Sequence, residues 1–206
     1  LPAENCLEPD MVESLARPVS KQEIYTAIRG LKRGKASGLD GMVAEVLIAW
    51  PWEWAEVLAP FYNAHRRHML GSPNAPQADS MLRGLILLLY KKGREDLLAN
   101  YRPITLVNKI QSTLALAVHN RWMPLMPLVT SSDQCASVPG RYMEDCLLKF
   151  LDALDWARHT RTNLVALLLD ARKAFDLLDR EYLQLVIRHV CRLGKPEHIG
   201  GVIQWM

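Results

Sequence analysis

The amino-acid sequence predicts an α+β fold, because helix-like and strand-like patterns alternate along its 206 residues. Several windows repeat apolar residues three or four positions apart, which is the period of one face of an α-helix. Two continuous apolar runs, near 85–90 and 164–170, are short and are typical of buried strands. Half of the residues are apolar, so the chain can bury an ordinary core in one domain or in two small ones.

The first predicted helix follows an irregular acidic leader at residues 1–19. Ser20 and Glu23 have the spacing of a capping box, which places the start of a helix at this point. Gly34 is predicted to end the helix, and a glycine-punctuated loop follows at 35–41. The predicted inner face of this helix is apolar and consists of Ile24, Ala27, Ile28 and Leu31.

Two more helices are predicted at 43–50 and 52–70. The first stops at Pro51. In the second, Pro60 lies within the helical pattern and is predicted to kink or split it. The side chains predicted to face inward in this helix are Trp54, Val57, Leu58 and Phe61.

The middle and the end of the chain mix strands with helices. Residues 85–90 are predicted to form a buried strand that basic residues close, and 101–106 a weaker second strand. Amphipathic helices are predicted at about 109–127, 143–158 and 179–193. The inner face of the last helix is predicted to consist of Leu183, Val186, Ile187 and Val190.

Composition narrows the classes of function. The longest apolar runs fall far short of the roughly 20 residues that a membrane span needs, so no membrane partner is expected. The four cysteines show no paired spacing, which favours a reducing, intracellular compartment without a disulfide framework. The net charge of +3 is only mildly basic and does not by itself indicate nucleic acid.

The distribution of charge is more informative than its sum. Four of the seven residues from Arg29 to Lys35 are basic, and between Arg83 and Lys109 six basic residues stand against two acidic ones. Two basic clusters near loops suit a polyphosphate or a nucleic-acid backbone, since Lys offers a point charge and Arg a fork of donors. A solvated surface explains them almost as well.

The run 164–170 ends in a carboxylate, Asp170. A strand that delivers an acidic group at its tip can hold a divalent cation, because the sheet fixes the carboxylate oxygens. The alternative is a strand that stops at an aspartate because Asp favours turns and helix starts.

Four segments occur in series: LKRGKASGLDGMVAEVL, LLLYKKGREDLLANYRPITLVN, SSDQCASVPGR and LLLDARKAFDLLDREYL. Together, and in this order, they resemble the reverse transcriptase domain of non-LTR (LINE-type) retrotransposons. The resemblance covers about residues 20–206. It implies a right-hand polymerase fold, with fingers at 20–163 and the first part of the palm at 164–206.

The resemblance also implies roles for individual residues. Asp170 matches the first metal-binding aspartate of the palm, which is also the catalytic residue, and the carbonyl of Ala171 would face the metal. The residues that match nucleotide-binding positions are Lys91, Lys92, Arg102 and the sugar-gate aromatic Phe175. The residues that match the segment near the template and the incoming base are Gln134 and Arg141.

The implied reaction is RNA-directed DNA synthesis, with an RNA template, a DNA primer and dNTPs as partners. Nucleotidyl transfer of this kind uses two divalent ions, Mg²⁺ or Mn²⁺, while cationic side chains neutralise the triphosphate. The stretch ends before the family's glycine- and glutamine-containing segment and its paired aspartates. We therefore expect residues 1–206 alone to be inactive.

Two positions depart from the family pattern. The family usually has a Tyr-Lys pair where this chain has Gln111-Ser112 or Ser112-Thr113, and a phenylalanine where it has Ser137. A divergent lineage and a decayed copy that only binds nucleic acid explain these changes equally well. A maturase or a telomerase-like polymerase, which share the domain, also remain open, and the sequence does not indicate the oligomeric state.

Overall fold

The structure, a computed structural model, describes residues 6–71, 83–171 and 177–192, and within 65–71 only the backbone. The described residues divide into two compact units. We call 15–71 with 83–121 the N-terminal unit, and 6–14 with 122–171 and 177–192 the C-terminal unit.

The regular elements are, in chain order, α1 (Pro9–Ala16), α2 (Lys21–Arg29), α3 (Ala44–Ala49), α4 (Pro51–Gly71), β1 (Gly84–Tyr90), β2 (Tyr101–Val107), α5 (Lys109–Trp122), α6 (Met126–Val129), α7 (Met143–Thr160) and α8 (Arg180–Val190). Two 3₁₀ turns lie at Leu98–Asn100 and Met123–Leu125. The mixture of helices and strands agrees with the α+β expectation. Helix α1, however, lies in a leader that was predicted to be irregular.

Helix α2 begins as its sequence predicts. The Ser20 hydroxyl accepts from the Glu23 N–H at 3.2 Å, and the Glu23 carboxylate accepts from the Ser20 N–H at 2.8 Å, which satisfies two end groups of the helix at once. The predicted inner side chains Ile24, Ala27 and Ile28 are fully buried. The helix ends at Gly30 rather than at Gly34, because the Gly30 N–H already closes the last turn.

Helix α4 is rotated relative to the predicted face. Its buried residues are Ala55, Leu58, Ala59 and Tyr62, whereas Trp54 is partly buried and Val57 and Phe61 are 61% and 44% exposed. The two alanines let α2 pack closely on α4, and this contact decides the face more strongly than side-chain size does. Pro60 is exposed and the helix continues through it, so the predicted split is wrong.

Both predicted strands are present as β1 and β2, and they pair to form an antiparallel two-stranded ribbon. The predicted burial of the first strand is wrong: Leu85 to Tyr90 are each 41–61% exposed. Within the described part of the chain no third strand pairs with the ribbon, so both of its faces keep solvent contact.

In the C-terminal part, α7 and α8 match the predicted helices, and the predicted inner residues Ile187 and Val190 of α8 are buried. The single helix predicted at 109–127 is instead broken after Trp122. Pro124 and Pro127 supply no N–H at this point, and the chain turns through a 3₁₀ segment into the short α6.

The predicted strand at 164–170 is wrong for this structure. Residues 162–171 are irregular, and Val165, Leu168 and Leu169 are 84–91% exposed. A strand is stabilised by hydrogen bonds to a neighbouring strand, and no described segment supplies that neighbour for this run.

Candidate nucleic-acid interface

The first candidate surface is the open end of the β1–β2 ribbon. The register pairs Leu89 with Arg102, and it continues with the Lys91 N–H donating to the Asn100 carbonyl at 2.9 Å. Side chains alternate between the two faces of a strand, so Lys91 and Arg102 belong to the same face as diagonal neighbours. Both are exposed, and no described carboxylate forms an ion pair with either.

Lys92 follows at the bend and is also exposed. The other face of the ribbon carries Tyr90 against Tyr101, with ring centroids 5.6 Å apart in an edge-to-face arrangement. Their hydroxyls donate to loop carbonyls, Tyr90 to Gly93 at 2.5 Å and Tyr101 to Glu95 at 2.9 Å. The two tyrosines therefore fix the base of the loop that carries the lysines.

The second basic cluster lies in the loop after α2. Lys32, Arg33 and Lys35 are exposed, and the loop between them is held because the Gly34 N–H donates to the Glu45 carboxylate at 2.6 Å. This hydrogen bond is the main reason that the pKa of Glu45 is lowered.

The same loop is anchored further along at Gly38. A Cβ at this position would lie 2.6 Å from the backbone nitrogen of Asn108, so only glycine permits this approach. The Asn108 carboxamide oxygen also lies 3.4 Å from the Asp40 N–H, which donates to it. The glycines of the motif thus bring a basic loop against the start of α5.

Gln134 and Arg141 come together in the C-terminal unit. The Arg141 guanidinium donates to the carbonyls of Gln134 at 2.9 Å and Pro127 at 3.1 Å, and to those of Thr130 and Ser131. The Gln134 side chain donates to the Ala136 carbonyl at 2.9 Å. Arg141 therefore holds the loop that carries Gln134, and both of its Nη groups donate to carbonyls within the protein.

A disulfide joins Cys135 to Cys146, with 6.3 Å between their Cα atoms. The expectation that no disulfide forms was wrong. Their spacing in the sequence carries no signal, because the loop that Arg141 holds brings the two residues together. Cys6 and Cys191 are free thiols, and burial raises the pKa of Cys191 to about 11.

Asp170 and Ala171 lie at the end of the irregular exposed segment in the C-terminal unit, whereas Lys91, Lys92 and Arg102 lie in the N-terminal unit. Phe175 lies outside the described residues. A divalent cation needs several oxygen ligands, and the described residues contain no group of three or more acidic, His or Cys side chains that could hold one. The described residues therefore do not by themselves fit a metal centre.

The residues that stand where the family usually has its Tyr-Lys pair lie on α5. The Ser112 hydroxyl donates to the Asn108 carbonyl at 3.2 Å and the Thr113 hydroxyl to the Lys109 carbonyl at 2.8 Å. Thr113 is completely buried. These side chains bond their own helix and present neither a phenol nor an ammonium group.

Arg121 is the principal residue that the sequence analysis missed. Its guanidinium forms a two-point ion pair with Glu23 and also donates to the carbonyls of Leu15, Arg17 and Pro18. The side chain is 7% exposed. Its partners lie about a hundred positions away in the sequence, so no local pattern indicates them.

Comparison with known proteins shows that this chain is similar to part of a transposon protein. The chain is 32% identical over 171 residues to the "Transposon TX1 uncharacterized 149 kDa protein" of Xenopus laevis. The aligned region covers 83% of this chain and 13% of that protein. The chain thus spans about an eighth of the length of this relative. No protein-family model matches the chain. None of the described helices is long and apolar enough to cross a lipid bilayer.

Proposed function

We propose that this chain is the fingers and the first part of the palm of the reverse transcriptase of a non-LTR (LINE-type) retrotransposon. The proposal is supported by the four ordered segments and by the similarity to a transposon protein. The observation that carries it is the placement of Lys91 and Arg102 on one face of the β1–β2 ribbon. Exposed cations without carboxylate partners are suited to phosphate groups.

In this proposal, Lys91, Lys92 and Arg102 neutralise the triphosphate of a dNTP, and the basic loop after α2 contacts the RNA backbone. Lys gives the phosphates a point charge, while Arg102 can donate two parallel hydrogen bonds to one phosphate. Asp170 would contribute one carboxylate, and Ala171 its backbone carbonyl, to a Mg²⁺ or Mn²⁺ site, whose other carboxylates would have to come from outside the described residues. Such a site would supply activation of the primer hydroxyl and stabilisation of the phosphoryl charge.

The polymerase proposal is tested in a longer protein that carries these residues. Arg102→Ala should raise the KM for dNTP while kcat changes less, because the lost contact is to the phosphates. Arg94→Ala is the matched control, since Arg94 lies on the same loop but is already paired with Asp96 at 2.6 Å. Equal KM values for dNTP in the two variants would show that Arg102 does not contact the nucleotide.

RNA binding is tested on residues 1–206 themselves. We expect weak binding of single-stranded RNA that falls steeply with salt, because Lys and Arg contacts to phosphate release counterions. We expect no template-dependent dNTP incorporation by this stretch alone. Incorporation by the pure 206-residue chain would show that its metal site is complete.

A nucleic-acid-binding remnant without polymerase activity is the second candidate. The observation that favours it lies on α5, where the Ser112 and Thr113 hydroxyls donate to helix carbonyls at the positions where the family usually has a Tyr-Lys pair. This candidate would be supported by a longer protein whose RNA binding falls steeply with salt but which never incorporates dNTPs, even with Mn²⁺.

A further inference from the structure

The loop between β1 and β2 is built around one side chain, that of Asn100. Its amide Nδ2 donates to the Arg94 carbonyl at 2.8 Å, and the backbone carbonyl of the same residue accepts the Lys91 N–H at 2.9 Å. Asn100 is half-buried and its own N–H donates to the Leu97 carbonyl at 2.9 Å. A single residue therefore ties both ends and the middle of this loop.

Gly93 makes room for the Asn100 side chain. Its φ of +98° lies in the left-handed region, and a Cβ at this position would be 2.7 Å from the Asn100 Nδ2. Glycine thus allows the carboxamide to lie against the backbone of the turn. The basic turn, defined as Lys91–Arg94, is consequently fixed from its inner side.

The basic turn determines where two of the three unpaired cations lie. Lys91 and Lys92 belong to the turn itself, while Arg102 lies on β2, two residues after Asn100. Two cations contact the same polyphosphate only if both strand ends keep their register and the turn keeps its shape. The backbone hydrogen bond between Lys91 and Asn100 maintains the register, and the side-chain hydrogen bond from Asn100 to the Arg94 carbonyl maintains the shape of the turn.

We propose that Asn100 is a positioning residue that, together with Gly93, holds Lys91 and Arg102 so that they bind one triphosphate at the same time. This inference rests on the proposed function, because it takes the triphosphate of a nucleotide as the ligand. Asn100 itself is uncharged and bonds only the backbone in the contacts described, so it acts through the cations.

The test uses the 206-residue chain and inorganic triphosphate, with affinity measured by calorimetry at several salt concentrations. Asn100→Ala should weaken the binding of triphosphate about fivefold, because the variant loses one hydrogen bond that orders the turn. It should also make the dependence of affinity on salt shallower, although no charge is removed, because fewer ion contacts form simultaneously. A merely structural role would leave the salt dependence of the folded protein unchanged.

Four variants complete the comparison. Lys91→Ala and Arg102→Ala test the site itself, and Asn120→Ala is the matched control, because Asn120 is exposed on the last turn of α5 in the same unit. Gly93→Ala disturbs the same contact from the other side and replaces Asn100→Ala if the latter does not fold. It should give the same loss of affinity and the same shallower salt dependence.

The outcomes separate the two levels of the proposal. If Lys91→Ala and Arg102→Ala weaken binding while Asn100→Ala and Gly93→Ala match the wild type, the positioning role is overturned and the nucleotide site stands. If neither cation matters, the nucleotide site is itself wrong and the inference falls with it. If Asn100→Ala weakens binding of single-stranded RNA but not of triphosphate, the ligand is an RNA backbone and the inference is also overturned.

Discussion

Arg121 and Glu23 form a two-point ion pair, in which Nε lies 2.7 Å from Oε1 and Nη2 lies 2.9 Å from Oε2. The pair joins the end of α5 to the first turn of α2. The same carboxylate closes the capping box by accepting from Ser20. One acidic side chain thus serves both a local helix start and a long-range contact.

This pair predicts an acid-sensitive fold. Burial would raise the pKa of Glu23, but the hydrogen bonds from Arg121 and Ser20 lower it from 4.5 to about 2. A carboxyl group whose pKa is lowered by folding adds stability above its unfolded pKa and loses it as the pH falls. We expect the free energy of unfolding to drop between about pH 4.5 and pH 2.

Urea unfolding across this pH range measures the effect. Because the Glu23 side chain is 20% exposed, solvent screening reduces the full linkage value and we expect a loss of about 1–3 kcal/mol. Glu23→Gln should flatten this part of the pH profile. A profile of unchanged steepness in Glu23→Gln would assign the acid sensitivity to other carboxylates.

Arg141 is expected to act on its loop rather than directly on a template. Arg141→Ala removes hydrogen bonds to four backbone carbonyls and should cost about 1–3 kcal/mol. Hydrogen exchange should accelerate in residues 127–134. Arg158→Ala is the control, because Arg158 is exposed and its ion pair is to Asp155 on the same helix.

Arg141→Lys distinguishes the two roles of this residue. Lysine keeps the positive charge but lacks the planar fork of donors. If Arg141 holds the loop, Arg141→Lys should exchange as fast as Arg141→Ala. Normal exchange in the lysine variant, together with RNA binding lost only in the alanine variant, would restore a direct template contact.

The Cys135–Cys146 disulfide predicts a redox-dependent stability. The two cysteines are 11 residues apart in the sequence. For a loop of this length, chain-entropy arguments give a stabilisation of the folded state of about 2–3 kcal/mol. We expect dithiothreitol to lower the Tm of the wild type and to leave the Tm of the Cys146→Ser variant unchanged. Four reactive thiols in the folded, unreduced protein would contradict the disulfide.

Asp170 is predicted to matter for catalysis and not for folding. In a longer, polymerase-competent protein, Asp170→Asn keeps the shape but removes the charge for Mg²⁺, so primer extension should collapse while RNA affinity changes little. In the 206-residue chain the same change should shift stability by about 0.5 kcal/mol or less, because the segment around it is exposed. Extension at ordinary Mg²⁺ would show that the metal site is elsewhere.

Phe175 lies outside the described residues and its role stays a prediction. If its ring blocks a ribose 2′-hydroxyl, Phe175→Val in the longer protein should raise the use of rNTPs relative to dNTPs with only moderate loss of dNTP extension. If it is a core residue, the truncation should cost on the order of a few kcal/mol and lower the Tm. An unchanged rNTP/dNTP ratio in a folded variant would exclude the gate role.

Local sequence patterns determined the elements that depend on neighbouring residues. Patterns within a few residues predicted the capping box of Ser20 and Glu23, the start of α8 and the two separate strands β1 and β2. The shared face of Lys91 and Arg102 depends on the register between the two strands, which the structure shows.

Tertiary structure decided whatever depends on distant partners. The buried face of α4 follows the packing of α2 against Ala55 and Ala59, and Arg121 finds Glu23 about a hundred residues away. The run at 164–170 has the composition of a strand and yet is irregular, because a strand needs hydrogen bonds from a second segment. The sequence by itself thus determined what each segment is suited to form, and contacts between segments decided which of those possibilities the chain adopts.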